Sequence, residues 1–181
     1  MAKTMKALTA VFLVLTGVFA ALHAWLGAAV FQPLAITAGT FFYHLAMRLA
    51  VGSLVDAVMK NSADPQARWF VLKGWEEKLY RALKVKRWKA KMPTYAPENF
   101  DLKTRTPLEV AGAMCQAEVV HEVIIPLSFV PVAFIGLFGA PAVFIATSLL
   151  AAAYDGLFVV LQRYNRPRVL RLALRQQKND R

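Results

Sequence analysis

The chain has 181 residues, of which 57% are hydrophobic and 18% charged, and its net charge is +11 at pH 7. So many apolar residues exclude a disordered chain, and so few charged residues exclude an ordinary soluble domain, in which about a quarter are charged. Long uncharged runs also exclude a nucleic-acid-binding protein, although the basic excess alone would fit one. We therefore predict an all-α integral membrane protein that forms a single domain, residues 1–181.

The first predicted span covers residues 7–31, which exceeds the about 20 apolar residues that a bilayer crossing needs. Lys3 and Lys6 precede this run, so a secretory signal peptide is the alternative. The length of the run and a second apolar segment directly after it favour a span. That second span is predicted over 34–59, and Gln32-Pro33 marks the turn between the two.

A basic segment, residues 60–119, follows the second span. From 67 to 91, residues such as Trp69, Leu72 and Trp75 recur at helical spacing with cations between them. This pattern predicts an amphipathic helix in the headgroup zone of an anionic leaflet.

Thr106, Pro107 and Glu109 form a helix-start pattern, with a cap, a proline at the first position and an acid at the third. This helix leads into a third apolar segment, residues 120–138, which is short for a crossing and contains Pro126. We expect that segment to be kinked or continuous with the helix before it. The number of spans therefore stays open between three and four.

The fourth span is predicted over 140–161, and a basic tail, 162–181, closes the chain. The turns at 28–33 and 136–141 carry no charge, whereas the N-terminus, the central segment and the tail are basic. The positive-inside rule then predicts four transmembrane helices as two hairpins, with both termini and the central segment in the cytoplasm.

Glu118 and His121 lie three residues apart, on one helical face, where the chain enters the membrane. A carboxylate that orients an imidazole makes a general base, which a hydroxyl needs when it attacks an activated acyl group. The alternative is a surface ion pair beside Glu122.

His44 and Arg48 lie four residues apart inside an apolar segment, where ionisable residues indicate a functional site. We predict that both contact substrate, with Arg48 paired to Asp155, to Asp56 or to an anionic substrate group. The alternative is a structural salt bridge, or an arginine that reaches the cytoplasmic headgroups.

Two basic motifs suit phosphate groups, because arginine offers a bidentate fork and amide side chains fix polar headgroups. The first is Gln162-Arg163-Tyr164-Asn165-Arg166-Pro167-Arg168, and the second contains Trp88, Lys89 and Lys91. Their alternatives are a stop-transfer cluster and a membrane anchor.

Other chemistry has little support in the sequence. It contains no Gly-rich phosphate loop and no nucleophile elbow, and its three histidines are too scattered for a metal site. The single cysteine, Cys115, excludes an internal disulfide and leaves a covalent acyl thioester as an alternative route. We expect no bound cofactor and no metal.

Three strings stand in an order known from another family: Trp88-Lys89-x-Lys91, then Ala117-Glu118-x-x-His121 with Pro126, then 162–168 with Leu170 and Leu172. Over roughly residues 75–172 the chain resembles the glycosyl-4,4'-diaponeurosporenoate acyltransferases. These small bacterial membrane proteins catalyse the last step of staphyloxanthin-type carotenoid synthesis.

The resemblance implies an O-acyltransferase in a bacterial cell membrane. It would move a fatty acyl group from acyl-CoA or acyl-carrier protein to a hydroxyl of a glycosyl carotenoid or another glycolipid. The matched positions, with roles assigned from their chemistry, are Glu118 and His121 as orienter and base, Arg163, Asn165, Arg166, Arg168, Lys89 and Lys91 on donor phosphates or sugar, and Gln162, Tyr164 and Trp88 on substrate.

Two other functions stay open on sequence alone. A non-enzymatic membrane adaptor would use the basic face for anionic lipid headgroups only. A small-solute transporter is poorly supported, because four short spans with few buried polar groups make a poor pathway. The sequence predicts no oligomeric state.

Overall fold

The computed structural model describes residues 2–179, and within that range every regular element is helical. Among these residues, four helical segments are long and apolar enough to cross a membrane. They are Ala2–Leu26, Phe31–Met59, Pro107–Phe138 and Pro141–Gln176. The predicted all-α class with four span-length apolar helices is therefore confirmed. The arrangement as two hairpins stays a prediction.

Helices α1 (Ala2–Leu26) and α2 (Phe31–Met59) are joined by a short turn at Gly27, whose φ of 66° is in the left-handed region that glycine tolerates. The turn predicted at Gln32-Pro33 is therefore placed wrongly. Both residues lie in the first turn of α2, where a proline removes no hydrogen bond that the helix would make.

The single helix predicted over 67–91 is wrong. The segment contains only α3 (Glu76–Ala82), α4 (Val85–Trp88) and a 3₁₀ turn at Lys89–Lys91, preceded by turns. Lys84, at a φ of 51°, separates α3 from α4. Tertiary contacts that engage the backbone carbonyls just before α3 override the helical periodicity there. Whether the segment lies on a membrane surface stays a prediction.

Helix α5 (Pro107–Leu127) begins where its start pattern predicts. Thr106 N donates to Glu109 Oε2 at 2.8 Å, and Glu109 N donates back to Thr106 Oγ1 at 3.3 Å. The helix runs into the third apolar segment, so the predicted continuity is confirmed. It ends after Pro126, and a 3₁₀ turn (Val130–Phe134) and the short α6 (Ile135–Phe138) follow.

Helix α7 (Pro141–Asn179) follows a turn in which Gly139 and Ala140 both have positive φ, as predicted for this position. It continues far past the predicted end of the fourth span. The segment predicted as a basic tail is thus the second half of α7, and its last two residues, Asp180 and Arg181, lie outside the described residues.

The chain divides into two compact units. Unit 1 comprises Met1–Gly52 with Val123–Asp155, and unit 2 comprises Ser53–Glu122 with Gly156–Arg181. In unit 1 the rings of Phe12 and Phe41 stack at 5.1 Å and pack α1 against α2. In unit 2 the second half of α7 packs against α5 and the segment between α2 and α5, and this unit contains most of the predicted site residues.

Candidate functional site

The centre of unit 2 is a buried ion pair between α5 and α7. Glu118 is fully buried, and Arg166 is 1% exposed. One carboxylate oxygen of Glu118 accepts from Arg166, and the other accepts from Arg163 Nη1 at 2.5 Å. Each oxygen of this carboxylate therefore faces its own guanidinium.

Arg163 also binds a second buried carboxylate, that of Glu76 in α3. Its Nε and Nη2 donate to the two oxygens of Glu76 at 2.8 and 2.7 Å, a bidentate pair. The hydroxyl of Tyr80 and the backbone N of Lys73 also donate to Glu76. Burial alone would raise the pKa of Glu76, but these hydrogen bonds outweigh it and lower the pKa to about 2. Burial and the neighbouring Glu76 raise the pKa of Tyr80.

Both arginines also bind backbone carbonyls of the segment before α3. Arg163 donates to the carbonyls of Trp69, at 3.1 Å, and Val71, while Arg166 donates to that of Phe70 and lies 5.1 Å from its ring. Two carboxylates and two guanidiniums thus alternate in one network that ties three chain segments together. The donors of these arginines are largely engaged inside the protein.

The structure brings together three predicted site residues, Glu118, Arg163 and Arg166, that the sequence assigned to different roles. Their roles in catalysis or phosphate binding stay predictions. Sequence reasoning missed Glu76, the partner that completes the network. The signal was available, because Glu76 and Glu77 interrupt an otherwise basic segment.

A second cluster contains Lys89, Tyr164, Asn165 and Arg168. Lys89 Nζ donates to Asn165 Oδ1 at 2.9 Å and lies 5.2 Å from the Tyr164 ring centroid. The guanidinium of Arg168 lies 3.8 Å from the same centroid and donates to the carbonyl of Tyr164. Partial burial and the positive charges of Arg168 and Lys86 lower the pKa of Lys89. The two cations thus repel each other across one ring, and Arg168 is exposed.

His121 stacks on Phe158 of α7, with a centroid distance of 4.5 Å and an angle of 8° between the rings. The next residue, Glu122, accepts a hydrogen bond of 2.8 Å from the indole of Trp69. Side chains at 121 and 122 therefore both contact other segments of unit 2, and this part of α5 is fixed on two sides.

A groove of about 450 Å³ lies on unit 2. Its walls combine aromatic and aliphatic side chains with five charged ones. The lining residues are Arg68, Trp69, Lys73, Trp75, Glu76, Leu79, Tyr80, Glu122, Val159, Val160 and Arg163. The ring of Tyr80 meets that of Tyr164 edge-on, with centroids 5.8 Å apart. The groove is therefore linked to the cluster of Lys89 and Arg168 through one pair of tyrosines.

The remaining predicted site residues of unit 2 lie apart from this groove lining. Gln162 is buried, Lys91 is exposed, and the indole of Trp88 donates to the carbonyl of Leu83 at 3.0 Å. Cys115 is fully buried, which is unfavourable for a covalent acyl thioester.

His44 and Arg48 lie in unit 1. Arg48 forms an ion pair with Asp155, one of the two partners that the sequence offered. The other, Asp56, accepts instead from the amide of Gln116 at 2.9 Å. The structural alternative, a salt bridge between helices, is thus present at Arg48, and substrate contact stays a prediction.

Comparison with known families identifies a match. The model of the glycosyl-4,4'-diaponeurosporenoate acyltransferases matches residues 66–175, more than half of the chain. This range contains the ionic network, the groove and the Lys89–Arg168 cluster. Neither a curated protein nor a solved structure matches the chain.

Proposed function

The chain belongs to the glycosyl-4,4'-diaponeurosporenoate acyltransferase family, and we propose that it moves a fatty acyl group from an acyl thioester to a sugar hydroxyl of a glycosylated membrane lipid. The family makes a glycosyl carotenoid the first acceptor to test. The observation that carries the proposal is the groove of unit 2, whose largely apolar wall leads through Tyr80 and Tyr164 to a half-buried cation, Lys89, and an exposed one, Arg168.

The groove suits the acyl chain of the donor. Trp69, Trp75, Leu79 and the valines of α7 give it an apolar wall, and Trp69 and Trp75 are 65% and 59% exposed. Covering such surface with a hydrocarbon chain is favourable by about 25 cal/mol per Å². An amphiphile with an apolar tail and an anionic head therefore fits this groove better than a sugar or a small polar solute.

The donor phosphates are assigned to Lys89 and Arg168. Both cations lie beside Tyr164, and an anion between them would relieve their repulsion. Arg163 and Arg166 were candidates for the same role, but most of their donors already bind buried carboxylates and carbonyls. In this proposal those two arginines hold the site in shape.

His121 is assigned as the general base. The groove is lined by Glu122, which follows His121 on α5. It is also lined by Val159, which follows Phe158, the residue on which His121 stacks. The imidazole would take the proton of the acceptor hydroxyl as that oxygen attacks the thioester carbonyl. The tetrahedral intermediate then expels the thiolate, which takes the proton from the imidazolium, and the products are an ester and a free thiol.

Glu118 is assigned as the residue that positions this base. Glu118 lies three residues before His121 on α5, and its carboxylate holds α7 against α5 through Arg163 and Arg166. The stacking of His121 on Phe158 depends on that packing. Glu118 would therefore orient the imidazole through the helices, in addition to any direct effect of its charge.

The test is an assay of purified protein with radiolabelled palmitoyl-CoA and glycosyl-4,4'-diaponeurosporenoate. We expect wild type to form a labelled ester, and His121→Ala to lower the rate by about 10²–10⁴-fold. His23→Ala is the matched control, because His23 lies in unit 1 and its ring nitrogen lies 3.2 Å from the carbonyl oxygen of Ala28, in the turn after α1. Near-normal turnover by a folded His121→Ala protein would exclude the base assignment.

A second arm separates the enzyme from a membrane adaptor. Arg168→Lys preserves the charge but removes the planar fork, so it should raise the KM for palmitoyl-CoA and leave binding to anionic vesicles unchanged. Vesicle binding by wild type without any labelled ester would favour the adaptor.

A further inference from the structure

Unit 1 contains a buried histidine whose ring nitrogens make no hydrogen bond to any residue that the structure describes. His44 is 5% exposed, and among residues 2–179 neither Nδ1 nor Nε2 has a partner. The other histidine of unit 1, His23, has its ring nitrogen 3.2 Å from the carbonyl of Ala28. An imidazole that is buried without a partner costs free energy, so natural proteins rarely keep one without a use.

A serine of unit 1 is in the same situation. Ser148 in α7 is fully buried, and its Oγ has no partner within the described residues. This is unusual for a helical hydroxyl, which commonly binds a carbonyl one turn back. Its neighbour Thr147 does so with Val143 at 2.7 Å, and Ser128 does so with Ile124 at 2.9 Å.

His44 and Ser148 lie on the two helix faces that the ion pair between Arg48 and Asp155 joins. His44 precedes Arg48 by four residues on α2, and Ser148 precedes Asp155 by seven on α7, so each shares a helical face with its partner in the pair. Arg48 Nη1 also donates to the carbonyl of His44 at 3.1 Å. The faces that carry the two unpartnered groups are thus those joined by the ion pair.

We propose that His44 and Ser148 bind an oxygen atom, carbonyl or hydroxyl, of an otherwise apolar lipid inside unit 1. Ala38, Met47, Val51 and Phe144 are buried in the same unit, and the charges nearest in this arrangement, Arg48 and Asp155, pair with each other. An imidazole N–H and a hydroxyl donate to one lipid oxygen, and a purely hydrocarbon tail offers neither group a partner. The membrane depth of α2 makes a lipid the ligand, because His44 lies roughly 20 Å from each helix end at 1.5 Å per residue.

The test compares two polyenes that share one chain and differ in one end group: 4,4'-diaponeurosporenoate methyl ester and the hydrocarbon with a methyl group in place of the ester. Both absorb visible light, so binding to purified protein is read from the absorbance shift. We expect wild type to bind the ester about tenfold more tightly than the hydrocarbon, the factor expected for one or two buried hydrogen bonds. Equal affinities for the two polyenes would overturn the proposal.

Variants assign the effect to the two residues. His44→Phe and Ser148→Ala should each lower affinity for the ester and leave affinity for the hydrocarbon unchanged, while His44→Gln keeps a donor and retains most of the preference. Thr147→Ala is the matched control, because that hydroxyl already binds its own helix. A variant that weakens both polyenes equally would contradict a contact with the oxygen.

Stability measurements separate binding from a structural role. If His44 serves a ligand, His44→Phe removes an unpartnered group and should leave the Tm of the ligand-free protein unchanged or higher. If His44 instead stabilises the fold, the same variant lowers the Tm, and the proposal fails. The binding assay contains no acyl donor, so its outcome does not depend on whether acyl transfer takes place.

Discussion

Glu118 and Arg166 lie 48 residues apart in sequence and form an ion pair in which neither side chain is more than 1% exposed. A pair this deeply buried has lost its hydration, so its net contribution to stability is small or even unfavourable. Removing one partner is a different matter, because it leaves a charge without compensation. The pair therefore acts mainly as a constraint on how α7 packs against α5.

Glu118→Gln should destabilise unit 2 by about 3–5 kcal/mol, because it leaves Arg166 and one side of Arg163 without a carboxylate. Arg166→Met should cost less than Glu118→Gln, since Glu118 keeps Arg163 as a partner. The double variant should lose less free energy of unfolding than the sum of the losses in the two single variants. The measurement is a double-mutant cycle from unfolding of the detergent-solubilised protein. Strictly additive losses would mean that the two residues do not interact.

Glu76 makes the stability of unit 2 sensitive to acid. Its folded-state pKa of about 2 lies below the ordinary value of 4.5, so its charged form stabilises the fold. That contribution is complete above about pH 4.5 and is lost as the pH falls from there through about 2. Glu76→Gln should therefore be less stable at neutral pH and lose less on acidification.

The neighbouring Glu77 is the matched control for this prediction, because its side chain is exposed on the same helix. Glu77→Gln should keep the acid dependence of the wild type. Melting curves between pH 7 and about pH 3 would measure both variants. An unchanged acid slope in Glu76→Gln would assign the acid sensitivity to other carboxylates.

The sequence predicted the span-length helices well, because each is a long apolar run and hydropathy is a local property. It also predicted the start of α5, where Thr106 and Glu109 cap each other's backbone. It failed at 67–91, where helical periodicity is real but the carbonyls of Trp69, Phe70 and Val71 bind arginines of α7. Contacts between residues about 90 positions apart cannot be read from spacing.

The candidate site was predicted in its parts and not in its connections. Glu118, His121 and the arginine motif were singled out by their chemistry, but the pairing of both arginines with carboxylates was not. A charged residue in the sequence does not tell whether its partner is a ligand or another residue of the protein. The length of α7 was missed for the same reason: its arginines look like a solvent-exposed cluster until Glu118 and Glu76 are placed beside them.

At Gly112, α5 lies close to the backbone of the segment that follows α2. A Cβ atom there would lie 2.6 Å from the carbonyl oxygen of Asn61, which is backbone and cannot rotate away. Gly112→Ala should therefore destabilise unit 2 by roughly 1–3 kcal/mol, the usual cost of overpacking. A Cβ atom added at Gly156, on α7, would have no atom within 4 Å apart from its chain neighbours and the nearby backbone of α7.

Gly156→Ala is the control, and it should be neutral or stabilise the protein by up to about 1 kcal/mol through helix propensity. Thermal unfolding of both variants in one detergent gives the comparison. Equal stability of the two alanine variants would show that the α5 contact relaxes without cost.

The orientation of the chain decides whether its groove can meet the donor. Acyl thioesters are cytoplasmic, so the central segment, which contributes Trp69, Trp75 and Tyr80 to the groove, has to face the cytoplasm.

Cys115 is fully buried and should give little background labelling, so single cysteines at Ala29 and Leu102 can report the two sides of the membrane. In intact cells a membrane-impermeant maleimide should label Ala29→Cys directly and Leu102→Cys only after permeabilisation, because the charge distribution keeps the basic segment inside. The reverse pattern would place the groove on the side away from cytoplasmic thioesters and would exclude an acyl thioester as the donor.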